Sequence, residues 1–213
     1  MNRYLDNSIE KSHKTISHRI AFSSFIISFL LTYTISCALH IDGILLRLCT
    51  WTLPVFMYLW AQHKNPFVYL KLQTKAGLLW AFSFCVIIFG LGSLLRGVTG
   101  LNLSIPTDVW WNVIILVGLS EEVVFRGFIL QQIEEMTESF WVGNSVQAIL
   151  FAVTHVPYWL SQSQQITSGL IAFVLISGFL LGIIFRKTES LWACMLIHSV
   201  NNFCSIALVY PKI

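Results

Sequence analysis

The chain has 213 residues, of which 56% are hydrophobic and only 11% charged, with a formal net charge of +3 and a mean hydropathy of +0.73. A soluble domain carries roughly 25% charged residues, so a water-facing surface cannot be covered, and a soluble globular domain, a disordered chain and a nucleic-acid binder are excluded. A polytopic membrane protein remains, and at about 20 residues per spanning helix the length allows roughly seven or eight spans.

Residues 1–19 are polar, with Arg3, Lys11, Lys14 and Arg19 against Asp6 and Glu10. An uncharged run follows from Ile20 to Leu39. Small residues near its end, Ser36 and Ala38, would suit a signal peptide, but the run exceeds the ~7–15 apolar residues of a cleaved segment and reads as a retained first span. Further apolar runs cover about 43–62, 76–95, 109–132, 140–160, 166–185 and 190–210. The second holds Arg47 and Pro54 and is the least regular. An open β-structure is excluded, because lipid satisfies no backbone polar groups and the runs lack strand alternation. Trp60, Trp110, Trp111, Trp141, Tyr158, Trp159, Trp192 and Tyr210 mark run ends, as an interfacial aromatic belt would. Cys37, Cys49, Cys85, Cys194 and Cys204 all lie in apolar runs without a CxxC pair and read as buried free thiols.

With the N-terminus in the cytoplasm, nine cations fall inside (Arg3, Lys11, Lys14, Arg19, Lys64, Lys71, Lys75, Arg186, Lys187) and two outside (Arg96, Lys212). That distribution fits the positive-inside rule. The expected fold is an all-α, polytopic transmembrane bundle of about seven helices, with eight as the alternative, and one domain over residues 1–213. The lipid bilayer is its expected surrounding, and the small size without extensions points to a bacterial cell membrane.

Ionisable residues at membrane depth carry the chemical information, since each costs at least ~2.5–3.5 kcal/mol at a helix centre. The fourth run, DVWWNVIILVGLSEEVVFRGFILQQ, places Glu121 and Glu122 near its middle. Glu122 and Arg126 are four apart on one helical face and suit an ion pair. Glu121 is rotated about 100° away and lacks that partner, which makes it the better candidate for a reactive group. In the fifth run Gln147, Phe151 and His155 share a face, with Pro157 close by. In the seventh, His198 and Asn202 are stacked four apart, with Asn201 on a neighbouring stripe. Singly, these clusters read as a structural ion network, a packed histidine and interhelical polar contacts. Together, a carboxylate, two imidazoles and an amide suit hydrolysis: Glu with one His takes a proton from water, and the other His with Asn holds an oxyanion.

EExxxR (Glu121, Glu122, Arg126), FxxxH (Phe151, His155) and HxxxN (His198, Asn202), in this order on successive apolar runs, resemble the CPBP family of CAAX proteases and bacteriocin-processing enzymes. The resemblance covers roughly residues 109–210 and implies a glutamic intramembrane endopeptidase, commonly of eight helices, whose cavity admits a peptide. It implies that Glu121 is the catalytic glutamate and His155 helps it activate water. His198 and Asn202 would form the oxyanion hole, with Glu122, Arg126 and Phe151 in support. No cofactor or metal is implied; the implied partner is a membrane-associated peptide or protein, such as a CAAX-like tail, a bacteriocin leader or a sorting signal. Two other readings stay open: Zn²⁺ held by two His and a Glu, although no HExxH pair exists, and a non-enzymatic membrane protein such as a transporter or bacteriocin immunity factor.

Overall fold

The computed structural model describes residues 2–41, 44–74, 77–95, 100–102 and 104–209, with the side chains of 2–15, 44, 88, 91, 92, 95, 101 and 209 outside that description. Lys75, Arg96, Tyr210 and Lys212 therefore lie outside the described residues, as do the side chains of Arg3, Asp6, Glu10, Lys11 and Lys14. Among the described residues, continuous segments give seven long helices and one single-turn helix: α1 Asn2–Ala38, α2 over 44–61, α3 Pro66–Tyr69, α4 Leu78–Leu95, α5 over 107–137, α6 Phe140–Ser161, α7 Ser168–Thr188 and α8 Leu191–Ala207. Each apolar run thus becomes one helix. The helix of the first run begins well before Ile20, so the polar N-terminal segment is itself helical. A two-residue antiparallel pairing, Gly100 with Val209 and Leu101 with Leu208, ties the stretch before α5 to the end of α8.

Local chemistry sets the helix ends. Asn65 caps α3 by accepting from Phe67 N at 3.0 Å, with Pro66 in the first helical position. Ser139 caps α6 and Thr167 caps α7 in the same manner. Glu138 and Glu189 terminate α5 and α7 with left-handed backbone, φ 55° and 49°.

Two helices are not regular α. In α2 the turn before Pro54 widens to π geometry over Leu48–Thr52, and Leu53 N–H donates to Leu48 O. Pro54 supplies no N–H, so the ladder must be relieved near it. In α5 an α-helical stretch, Gly118–Glu122, lies between π segments at Trp110–Val117 and Val123–Leu130. Pro157, by contrast, is carried inside a continuous α6.

The bundle buries several polar side chains within its apolar core and exposes many large apolar ones. Ser120, Glu122, Arg126, Gln132, Asn144 and Gln147 are fully buried, while Ile20, Leu31, Met57, Leu79, Trp80 and Leu94 are exposed. A protein in water buries apolar side chains and exposes charged ones; this distribution suits a bilayer. Two helical stretches, Ile16–Ala38 and Ser168–Thr188, are long and apolar enough to cross a membrane by length and composition. Shorter apolar stretches are Leu45–Ala61, Leu78–Ile87 and Leu191–Ala207. Helix α5 is central: it packs on α2, α6, α7 and α8, while α4 lies along α8 and α7 along α6. Rings from α1, α2 and α5 lock together, with Phe25–Phe128 and Phe29–Trp51 edge-to-face at 4.8 Å each.

Several placements differ from expectation. Trp159 is buried, packed beside His155 at 5.6 Å between ring centroids, and is not part of an interfacial belt. Trp60, Trp111, Trp141, Tyr158 and Trp192 are exposed as expected. Among the cysteines, Cys37, Cys85 and Cys194 are buried, but Cys49 is exposed and Cys204 only half-buried.

Candidate active site

Glu121 and Glu122 stand at the C-terminal end of the α-helical stretch of α5, just before the backbone widens. A π segment within a helix frequently marks a functional site. Here the change of register falls directly after the two acids.

Glu122 and Arg126 form a fully buried ion pair, with Arg126 NH1 donating to Glu122 Oε1 at 2.7 Å. The other end of the guanidinium, NH2, donates to Gly178 O at 3.2 Å, an oxygen that also accepts from Gln147 Nε2 at 2.9 Å. The Arg126 guanidinium carbon lies 4.4 Å from the centre of the Phe151 ring. That ring meets His155 edge-on at 4.7 Å and His198 at 6.0 Å, so Phe151 is the spacer between the ion pair and both imidazoles.

The same Glu122 oxygen accepts from His198 Nδ1 at 2.7 Å. Nδ1 therefore carries the proton, and Nε2 points toward Glu121, whose Oε2 is 3.6 Å away. His155 is fixed from its own helix: Nδ1 is 2.8 Å from Phe151 O, which can only accept. Its Nε2 is left as the acceptor. Asn202 donates one amide hydrogen to Val113 O at 3.0 Å and retains a second.

Glu121, His155, His198 and Asn202 line one cavity of about 230 Å³, together with Tyr33, Arg47, Trp51, Asn112, Thr154 and Tyr158. The four residues reach it from three helices although simple counting along the runs puts them at different depths. A second cavity of about 180 Å³, mostly apolar, lies on the far side of His155, His198 and Asn202 and includes Asn201, Val174 and Leu181. Among the described residues no three His, Cys, Asp or Glu side chains converge closely enough to hold a metal ion.

Arg47 was not among the residues singled out for chemistry. Its NH1 lies 3.5 Å from Glu121 Oε1, with both side chains under a tenth exposed. The signal was present in the sequence: an arginine inside an apolar run needs a counter-charge. Which acid supplied it was not readable, because the partner lies on another helix.

An apolar-coated helical bundle with a polar chamber at depth defines the class: a membrane-embedded protein built around a buried carboxylate–imidazole site. Within it, residues 103–204 match the family model of Rce1-like type II CAAX prenyl endopeptidases, consistent with the CPBP family. The match supports a protease and suggests activity within the membrane. No curated protein and no solved structure matches the chain.

Proposed function

We propose that this protein is a metal-independent intramembrane endopeptidase that hydrolyses a peptide bond of a membrane-associated peptide or protein. The observation that supports this reading is the meeting of Glu121, His155, His198 and Asn202 on one chamber of about 230 Å³. A water there gives its proton to Glu121, with the free Nε2 of His155 sharing the task, and its oxygen bonds to the scissile carbonyl carbon. The oxyanion that forms takes a hydrogen bond from the second amide hydrogen of Asn202. His198 donates through Nε2 when both its nitrogens carry protons, because Nδ1 is committed to Glu122. The Glu122 carboxylate at Nδ1 and the oxyanion itself balance that charge. The proton held on Glu121 then passes to the leaving amine as the carbon–nitrogen bond breaks.

A CAAX-like tail, a bacteriocin leader and a sorting signal are all substrates of the required kind. Glu121→Gln tests the reading in purified protein with a quenched fluorescent peptide library. The amide keeps shape and hydrogen bonding but cannot take the proton, so the variant should fold, bind peptide and lose nearly all turnover. Full cleavage by Glu121→Gln ends the glutamate mechanism, whereas no cleavage of any peptide by the wild type leaves the transporter or immunity readings. Chelator treatment should leave the wild-type rate unchanged. A loss restored by Zn²⁺ would make His155 and His198 metal ligands.

A further inference from the structure

We infer that Arg47, contributed by α2 from outside the Rce1-like segment, is a positioning residue of the active site that fixes the carboxylate of Glu121. This rests on the glutamate reading given above and adds a residue to it.

Three observations carry the inference. Arg47 lines the same chamber as Glu121, His155 and Asn202. Its NH1 is 3.5 Å from Glu121 Oε1, while the other oxygen, Oε2, is turned toward His198 Nε2 at 3.6 Å. The two carboxylate oxygens thus have different neighbours, and the orientation of the group is set from two helices.

The guanidinium is itself held in place. Its carbon lies 5.8 Å from the Tyr33 ring centre and 5.4 Å from that of Trp51. Those two rings meet edge-to-face at 4.8 Å, and Trp51 is wedged in turn against Phe29 and Phe125. A cation over aromatic faces inside a packed cluster has little freedom to follow a moving partner.

The charge balance agrees. Two acids stand side by side on α5, and each has an arginine within reach: Arg126 for Glu122 from the same helix, Arg47 for Glu121 from α2. When the proton of water moves onto Glu121, its negative charge passes to the oxyanion in the same chamber. Arg47 lines that chamber and lies within 3.5 Å of Glu121. Lysine would keep the charge but not the planar fork.

Arg47→Met, Arg47→Lys and Glu121→Gln, each as the full chain, separate the possibilities when assayed on the best-cleaved peptide of a quenched fluorescent library. Arg47→Met should lower kcat about 10²-fold, the loss that a misplacement of roughly 1 Å brings, with KM little changed. Arg47→Lys should recover part of that loss. Arg47→Met should take nothing further from Glu121→Gln, since groups acting as a unit are not additive. A raised KM with kcat intact would overturn the proposal, because Arg47 would then bind an anionic part of the substrate. Unchanged turnover in Arg47→Met would overturn it equally. If Arg47→Met does not accumulate, the double variant Arg47→Met with Glu121→Gln removes both charges together and should restore accumulation; failure to do so breaks the pairing. That comparison needs no cleavage, so it stands apart from the outcome of Glu121→Gln alone, which decides the glutamate reading.

Discussion

At the residue scale, the most deeply buried cation among the described residues is Arg126, a guanidinium with no exposure to its surroundings. It is tolerated because Glu122 Oε1, Gly178 O and the Phe151 ring face it from three directions. Removing one member of a buried pair leaves the other charge uncompensated, which costs about 3–5 kcal/mol. Arg126→Ala should therefore reduce the amount of folded protein in the membrane, read by quantitative blotting and by thermal unfolding in detergent. Normal accumulation with lost cleavage would instead give Arg126 a part in handling substrate. Asn202 makes a different case, since its amide donates to Val113 O and supports no buried charge. Asn202→Ala should accumulate normally and lower kcat ~10²–10³-fold with KM nearly constant, the signature of a lost oxyanion donor. The Glu122–Arg126 pair was legible in the sequence because a spacing of four fixes two residues on one helical face. The Glu121–Arg47 pair was not, because its members come from different helices and no spacing relates them. Trp159 was misread for a similar reason: a tryptophan near a run end suits an interface, but the face it occupies beside His155 depends on packing.

At the element scale, the register of α6 against α7 governs the site, because α6 carries Phe151 and His155 and α7 carries the carbonyl that receives Arg126. Gly178 and Gly182 lie four apart on α7, and both pack closely against α6. A Cβ at Gly182 would overlap Asn144 Oδ1, and one at Gly178 would stand 3.0 Å from Phe151 Cδ1. Small residues let helices approach closely in a membrane, where packing replaces the hydrophobic effect as the driving force. The close approach lets Asn144 Nδ2 donate to Phe179 O at 3.1 Å and Gln147 Nε2 to Gly178 O. Gly182→Leu should push the helices apart, with an overpacking cost of about 1–3 kcal/mol. The expected result is a lower unfolding temperature in detergent together with reduced cleavage, while Gly90→Leu, where nothing lies within 4 Å, should leave both unchanged. Helix number and order could be read from the apolar runs. The π segments of α5 could not, since Trp110–Val117 and Val123–Leu130 contain no proline or other local signal for the widening.

At the scale of the whole molecule, the two ends of the bundle differ. Lys64–Glu135, Lys71–Glu189 and Arg186–Glu134 join neighbouring elements at 2.6, 3.0 and 2.9 Å, all at the end where α2, α5 and α7 finish. The chamber lies toward the opposite end: Arg47 is near the start of α2, Asn112 near the start of α5, Tyr158 near the end of α6 and Asn202 near the end of α8. By the positive-inside rule the lysine- and arginine-rich end is expected in the cytoplasm. The chamber is then expected in the outer half of the membrane, accessible to peptides that have crossed it or are anchored with their cleavage site outside. Single cysteines test this in a chain whose own five cysteines are changed to alanine. Gln164→Cys lies in the exposed connection between α6 and α7, on the chamber side, and Lys187→Cys lies at the exposed end of α7 on the other. A membrane-impermeant maleimide added to intact cells should label Gln164→Cys and leave Lys187→Cys unlabelled until the membrane is opened. The reverse pattern would turn the bundle over and bring the chamber to the cytoplasmic half, where its substrates would be peptides that have not yet left the cell.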